Sequence, residues 1–205
     1  IDPSKIAILL RYKKYIPKIA EWFSQEAPHY KLISNEAFLL QASSAVQLLI
    51  GALRSMLYPE DTAASSTLAY QWQTEIQEKA LSFHEICTPQ PGETLTQCIA
   101  RHLPEEWNQT LPSLYTLPLH ELFESLFRIF SLDRLQGQDG YLLAFFDGIN
   151  EYLQNGNPAP EAFLRYWEET LYKRAIPTGE IDGIRILSIH ASKGLEFHTV
   201  LIPFC

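Results

Sequence analysis

Ile6-Ala7-Ile8-Leu9-Leu10 is a continuous apolar run, the pattern of a strand buried on both faces of a parallel sheet, and it ends in the polar Arg11-Tyr12-Lys13-Lys14. Ile16, Ile19, Ala20 and Phe23 then recur at helical spacing, with Pro17 tolerated in a first turn, and Tyr30-Lys31-Leu32-Ile33 reads as a second strand. The chain therefore opens as β-α-β. Ser43 or Ser44 can cap a further helix whose apolar face is Val46, Leu49, Ile50, Leu53 and Leu57, closing near Pro59-Glu60-Asp61.

From about 63 to 178 the alternation of strands disappears and helical stripes follow one another, separated by Pro- and Gly-containing breaks. One stripe runs through Leu68, Trp72, Ile76 and Ala80, ahead of the breaker Thr88-Pro89-Gln90-Pro91-Gly92. The strongest is Leu119, Leu122, Phe123, Leu126, Phe127 and Phe130, with Pro118 placed in a first turn. Leu142, Phe145, Phe146, Ile149 and Leu153 form another after the Gly137-Gln138-Asp139-Gly140 turn, and Phe163, Leu164, Trp167 and Leu171 a last one. The aromatic members of these stripes could stack nucleobases, but their 3.6-residue period favours core packing. No repeat of fixed period is present.

Pro177-Thr178-Gly179-Glu180 reads as a linker, after which Ile184-Arg185-Ile186-Leu187-Ser188-Ile189 and Thr199-Val200-Leu201-Ile202-Pro203 return to buried-strand character. Neither sheet fragment could cover its faces alone, so the pattern predicts one α/β domain with a parallel sheet, formed by 1–62 and 179–205, interrupted by a mostly α-helical insertion over 63–178.

Composition narrows the function classes. With 46% hydrophobic residues in 205, the chain can bury a real core. No segment approaches the roughly 18 apolar residues of a membrane helix, and no stretch near Ile1 has signal-peptide length, so no membrane partner and a cytoplasmic location are expected. The formal charge of −8, from 16 Lys+Arg against 24 Asp+Glu, argues against a surface that binds nucleic acid everywhere and restricts any such contact to a local stripe. Cys87, Cys98 and Cys205 lack the spacing of a zinc or redox pair; His84 with Cys87 has no second pair, and no metal site is expected. Asn108-Gln109-Thr110 fits a glycosylation sequon that has no meaning in an intracellular chain.

The chemistry concentrates between the last two strands, in His190-Ala191-Ser192-Lys193-Gly194-Leu195-Glu196-Phe197. Loops at the C-terminal ends of parallel strands are where α/β sheets hold ligands. Read by spacing alone, Gly194 only permits a turn and Lys193 and Glu196 are solvated. The literal string Ile186-Leu187-Ser188-Ile189-His190-Ala191-Ser192-Lys193-Gly194-Leu195-Glu196-Phe197, however, closely resembles motif V of UvrD/Rep-type superfamily 1 DNA helicases. Ile6 to Arg11 resembles motif IV, and Leu39 to Leu57 the helix-forming stretch after it. Tyr141 to Asp147, Phe163 to Glu168 and Val200 to Phe204 resemble segments of the RecB/AddA-like helicase-nucleases. Only motif V is highly specific.

That resemblance implies a partial second RecA-like domain (2A) carrying a 2B-like helical insertion. It implies that Arg11 reaches the γ-phosphate of ATP, as a guanidinium can through two parallel hydrogen bonds. It makes Gly194 and Glu196 nucleotide-binding, the carboxylate accepting from ribose hydroxyls, and makes Ser188, His190, Ser192 and Lys193 contacts to single-stranded DNA. Ser188 departs from the more usual threonine and keeps the hydroxyl. The plain alternatives are a strand-ending exposed Arg11, a satisfied loop His190 and a solvated Lys193.

A motor also needs a Gly-x-x-x-x-Gly-Lys-[Ser/Thr] phosphate loop and an acidic pair for Mg²⁺, and the chain has neither. In the family these lie upstream of motif IV, and a further arginine motif lies downstream of motif V. The expectation is thus a fragment, inactive alone, of an ATP- and Mg²⁺-dependent 3′-to-5′ DNA helicase acting in repair or recombination. A partner nuclease or helicase subunit and a linked nuclease follow only from the RecB/AddA likeness. Two competitors are a non-enzymatic, helicase-derived protein-interaction module and a hydrolase using Ser188 or Ser192 with His190. The latter lacks a Gly-x-Ser-x-Gly elbow and a placed acid.

Overall fold

The computed structural model describes residues 2–12, 15–16, 19, 22–23, 26–27, 29–34, 39–176 and 183–203. They form two compact units, one of 1–42 with 175–205 and one of 43–174.

The first unit is built on a four-stranded, all-parallel sheet of β1 (Ile6–Leu10), β2 (Leu32–Ser34), β3 (Ile184–Ser188) and β4 (Thr199–Leu201), in the order β2-β3-β1-β4. The most apolar runs take the centre: Ile8 pairs with Ile186 and Leu9 with Leu187, while Ile6 pairs with Thr199 and Leu32 with Ile184 on the flanks. Because strand side chains alternate, Ile8, Leu10, Ile184 and Ile186 share one face and are buried together. Ile16, Ile19 and Phe23, all helical, pack on that face, as their spacing predicted; Pro17 and Ala20 lie outside the described residues. The strands are shorter than expected. Tyr30 and Lys31 precede β2, Ile189 already begins a turn, and Ile202 and Pro203 follow β4. The linker residues 177–180 lie outside the described residues.

The second unit is helical: α1 (Ser44–Leu57), α2 (Thr62–Gln71), α3 (Phe83–Ile86), α4 (Leu95–Arg101), α5 (Glu105–Leu114), α6 (Leu119–Ile129), α7 (Asp139–Asn155) and α8 (Pro160–Glu169). Ser43 caps α1, its Oγ accepting from Val46 N at 3.1 Å. The chain divides at Ala42/Ser43, not after residue 62 as expected, and α1 is the reason. Ala45, Val46, Leu48, Leu49, Ile50, Ala52, Leu53 and Met56 are all buried, so the helix is apolar around most of its circumference and packs against α2, α6, α7 and α8. Such a helix belongs at the centre of a bundle.

The stripe Leu68, Trp72, Ile76, Ala80 is interrupted. After α2 the backbone forms a π turn over Trp72–Ile76 and then takes a left-handed step at Glu78 (φ 53°), which leaves Ala80 exposed. Trp72 remains useful to the core by donating its Nε1–H to the Phe130 carbonyl at 3.3 Å. At the heart of the unit, Phe145 lies edge-on to Phe123 (5.1 Å between ring centroids), Trp167 (5.9 Å) and Phe163 (6.2 Å). Phe123, Phe130, Phe145 and Phe163 are fully buried, which gives these stripes to core packing; Phe127 and Phe146 are only half-buried. Pro118 sits one position earlier than expected, at the N-cap of α6. No helix among the described residues is long and apolar enough to cross a membrane.

Candidate functional site

Parallel pairing fixes which chain ends meet. β1 and β3 are neighbours in register, Leu10 opposite Ser188, and the ladder continues one step further as Ile189 N donates to the Leu10 carbonyl at 3.0 Å. Arg11 and the loop beginning at Ile189 therefore leave the sheet side by side at its C-terminal edge. Two segments far apart in sequence are joined there by the register of two apolar strands.

The loop is a compact turn held by Ser188. The Ser188 carbonyl accepts from Ala191 N (2.9 Å) and Ser192 N (3.1 Å), and its Oγ accepts from Ala191 N at 3.3 Å. Ser192 Oγ donates to the Ile189 carbonyl at 2.9 Å, and Leu195 N donates to the Ser192 carbonyl at 3.0 Å. Ser188 is 7% exposed, so its hydroxyl shapes the loop from beneath, whereas Ser192 is half-buried and His190, Lys193 and Gly194 are exposed. His190 and Lys193 are the groups this turn offers to a ligand.

Gly194 closes the turn at φ +82°. Only glycine takes this region without strain, and an added Cβ would meet no heavy atom within 4 Å, so the backbone alone sets the cost of substitution. Gly194→Ala is expected to destabilise the sheet unit by about 1 kcal/mol, measured by urea denaturation. An unchanged midpoint would show that the turn relaxes freely.

Arg11 is exposed, its Cζ 5.5 Å from the centroid of the Tyr12 ring. Tyr12 and Tyr15 are 52% and 38% exposed, with rings edge-on at 6.4 Å. The sequence expectation did not include these two aromatics. Their signal was the interleaving of basic and aromatic residues from Arg11 to Tyr15, a pattern suited to backbone charge and base faces together. Lys13 and Lys14 lie outside the described residues.

Glu196 is elsewhere. A parallel connection must carry the chain back to the N-terminal edge before the next strand begins. Here His198 N donates to the Lys5 carbonyl at 3.0 Å, and Thr199 then pairs with Ile6. Glu196 accordingly lines an open hollow of about 390 Å³ with Lys5, Arg185 and Phe197, with Arg185 Cζ 5.9 Å from the Phe197 ring centroid. Lys5 and Arg11 stand roughly 20 Å apart along an extended strand. The structure thus groups Arg11, His190, Ser192, Lys193 and Gly194 at one edge and leaves Glu196 near the other, apart from the nucleotide position expected for it beside Arg11.

Chemically, the C-terminal edge presents a guanidinium and an ammonium with exposed aromatic faces, on a chain whose overall charge is −8. This is a local cationic, stacking-capable edge, the kind of stripe an acidic protein can use for phosphates without binding them everywhere. Comparison with protein-family models and with curated proteins finds no match to this chain.

Proposed function

We propose that this chain is part of the second RecA-like domain, with its 2B-like helical insertion, of an ATP-dependent DNA helicase of the UvrD/Rep type, most like RecB/AddA. The carrying observation is the meeting of the motif IV-like strand end and the motif V-like loop on adjacent parallel strands at one sheet edge. In this reading Arg11 serves the γ-phosphate of ATP held mainly by an upstream domain, which also supplies the phosphate loop and the Mg²⁺ ligands. His190 and Lys193 meet the backbone of single-stranded DNA, Ser188 and Gly194 set the turn that presents them, and Ser192 braces it. Glu196 would reach a ribose only through a change at the β3–β4 connection. The parent would translocate 3′ to 5′ in repair or recombination, with a nuclease or helicase partner subunit as the RecB/AddA likeness suggests.

The purified chain should bind a fluorescein-labelled oligo-dT weakly and turn over no ATP, because half of a two-domain site is present. His190→Ala with Lys193→Ala should weaken that binding about tenfold. Lys193→Ala alone should reduce the slope of log affinity against log salt by about 0.7, the value for one single-strand phosphate contact. Fluorescence anisotropy across a salt series measures both. Binding indifferent to these substitutions, or steady ATP turnover by the chain alone, would defeat the reading.

A further inference from the structure

Within the helical unit, an open groove of about 720 Å³ runs between α6 and the first half of α7. Its apolar lining is Phe127 on α6 and Leu142, Leu143 and Phe146 on α7. Leu143 is 67% exposed, more than any other large apolar side chain among the described residues, and it adjoins the half-buried Phe127 and Phe146. Phe127 and Phe146 belong to the core stripes by spacing yet stay half-buried, and Leu143 lies outside its helix's stripe altogether. A contiguous apolar hollow of this size is a binding feature more often than an ordinary surface.

The walls decide the shape of the occupant. Two helices satisfy their own backbone hydrogen bonds along their length, so an extended strand would find no N–H or C=O to pair with. A docked helix carries its own backbone bonds and needs only side-chain contacts. Asp139 to Phe146 spans about 10 Å of α7, room for roughly two turns of a partner helix.

The polar lining decides its charge. Glu124 and Asp139 line it together with one guanidinium, Arg128, and the imidazole of His120. No ion pair or hydrogen bond to the Asp139 carboxylate is formed among the described residues, and the Glu124 carboxylate meets only His120, at 3.6 Å. Two carboxylates oppose a phosphodiester, so the aromatic lining does not make this a nucleobase platform. We propose that the groove docks an amphipathic helix of a partner protein, with apolar side chains at i, i+3 or i+4, and i+7 against Phe127, Leu142, Leu143 and Phe146, and a lysine or arginine against Asp139 and Glu124. This stands on the helical unit alone and does not require the helicase reading.

The test is selection of a phage-displayed library of short helix-biased peptides on the full chain, with the Leu143→Asp chain as counter-selection. Leu143 is largely exposed, so that variant should keep the wild-type circular dichroism and melting midpoint, which are checked first. Enriched peptides should carry the apolar i, i+3/i+4, i+7 pattern with at least one Lys or Arg. Their synthetic forms should bind about tenfold more weakly to Leu143→Asp and several-fold more weakly to Asp139→Asn. No enrichment above the counter-selection, enrichment of acidic or unpatterned peptides, or peptide affinity unchanged by both substitutions would overturn the proposal. So would oligo-dT binding that Leu143→Asp abolishes, which would assign the groove to nucleic acid.

Discussion

Phe145→Ala is expected to lower the stability of the helical unit by about 3–5 kcal/mol, the range for emptying an aromatic from a core that cannot collapse to fill the space. Phe145 is fully buried and is held edge-on by Phe123, Phe163 and Trp167, which come from α6 and α8. Rings fixed by helices on different sides cannot all move inward, so the lost contacts are not recovered. Urea denaturation followed by tryptophan fluorescence reads the change, since Trp167 borders the cavity. Leu143→Ala, two positions earlier on the same helix but largely exposed, should shift stability by no more than about 0.5 kcal/mol. Equal losses at both positions would mean that the aromatic cluster is not the core.

The same contrast explains what the sequence revealed of the fold. β1 was legible because a five-residue apolar run has few uses other than a sheet covered on both faces, β3 because Ile184, Ile186 and Leu187 keep buried-strand character around Arg185, and α6 because its period is strong. Register is not written in a single strand, so the meeting of Arg11 with the 189–194 loop could be expected only through resemblance and is seen only through the pairing of Leu10 with Ser188. α1 falls in the helical unit and not with the sheet residues 1–62 because its apolar residues, read from sequence as one face, are buried around most of the helix, as suits a bundle centre. Ala80 departs from its stripe because helical spacing assumes an unbroken 3.6-residue period, and the π turn at Trp72–Ile76 breaks it. Glu196 follows directly on the turn in sequence, but the geometry of a parallel connection carries it to the other edge of the sheet. The buried hydroxyl of Ser188 had no sequence signal separating a loop brace from a DNA contact.

Arg11→Ala, made in a longer polypeptide that supplies the phosphate loop, should reduce ATP turnover by about 10³-fold while weakening nucleotide binding by less than about tenfold. The asymmetry follows from where the guanidinium acts. Arg11 is an exposed group at the C-terminal end of a central strand, anchored by a sheet whose pairing continues through Leu10 and Ile189. In the proposed site it meets a nucleotide already gripped by another domain, so its removal costs little ground-state affinity. Charge on the γ-phosphoryl oxygens grows toward the transition state, and a donor preorganised there acts most strongly at that point. Arg11→Lys keeps the positive charge but loses the planar fork, and it should recover only part of the rate. Lys193→Ala, on the neighbouring loop, should instead weaken the dependence of turnover on single-stranded DNA. Steady-state ATPase assays with and without DNA, paired with equilibrium nucleotide binding, separate the two roles. Turnover unchanged by Arg11→Ala would remove that residue from the proposed nucleotide site.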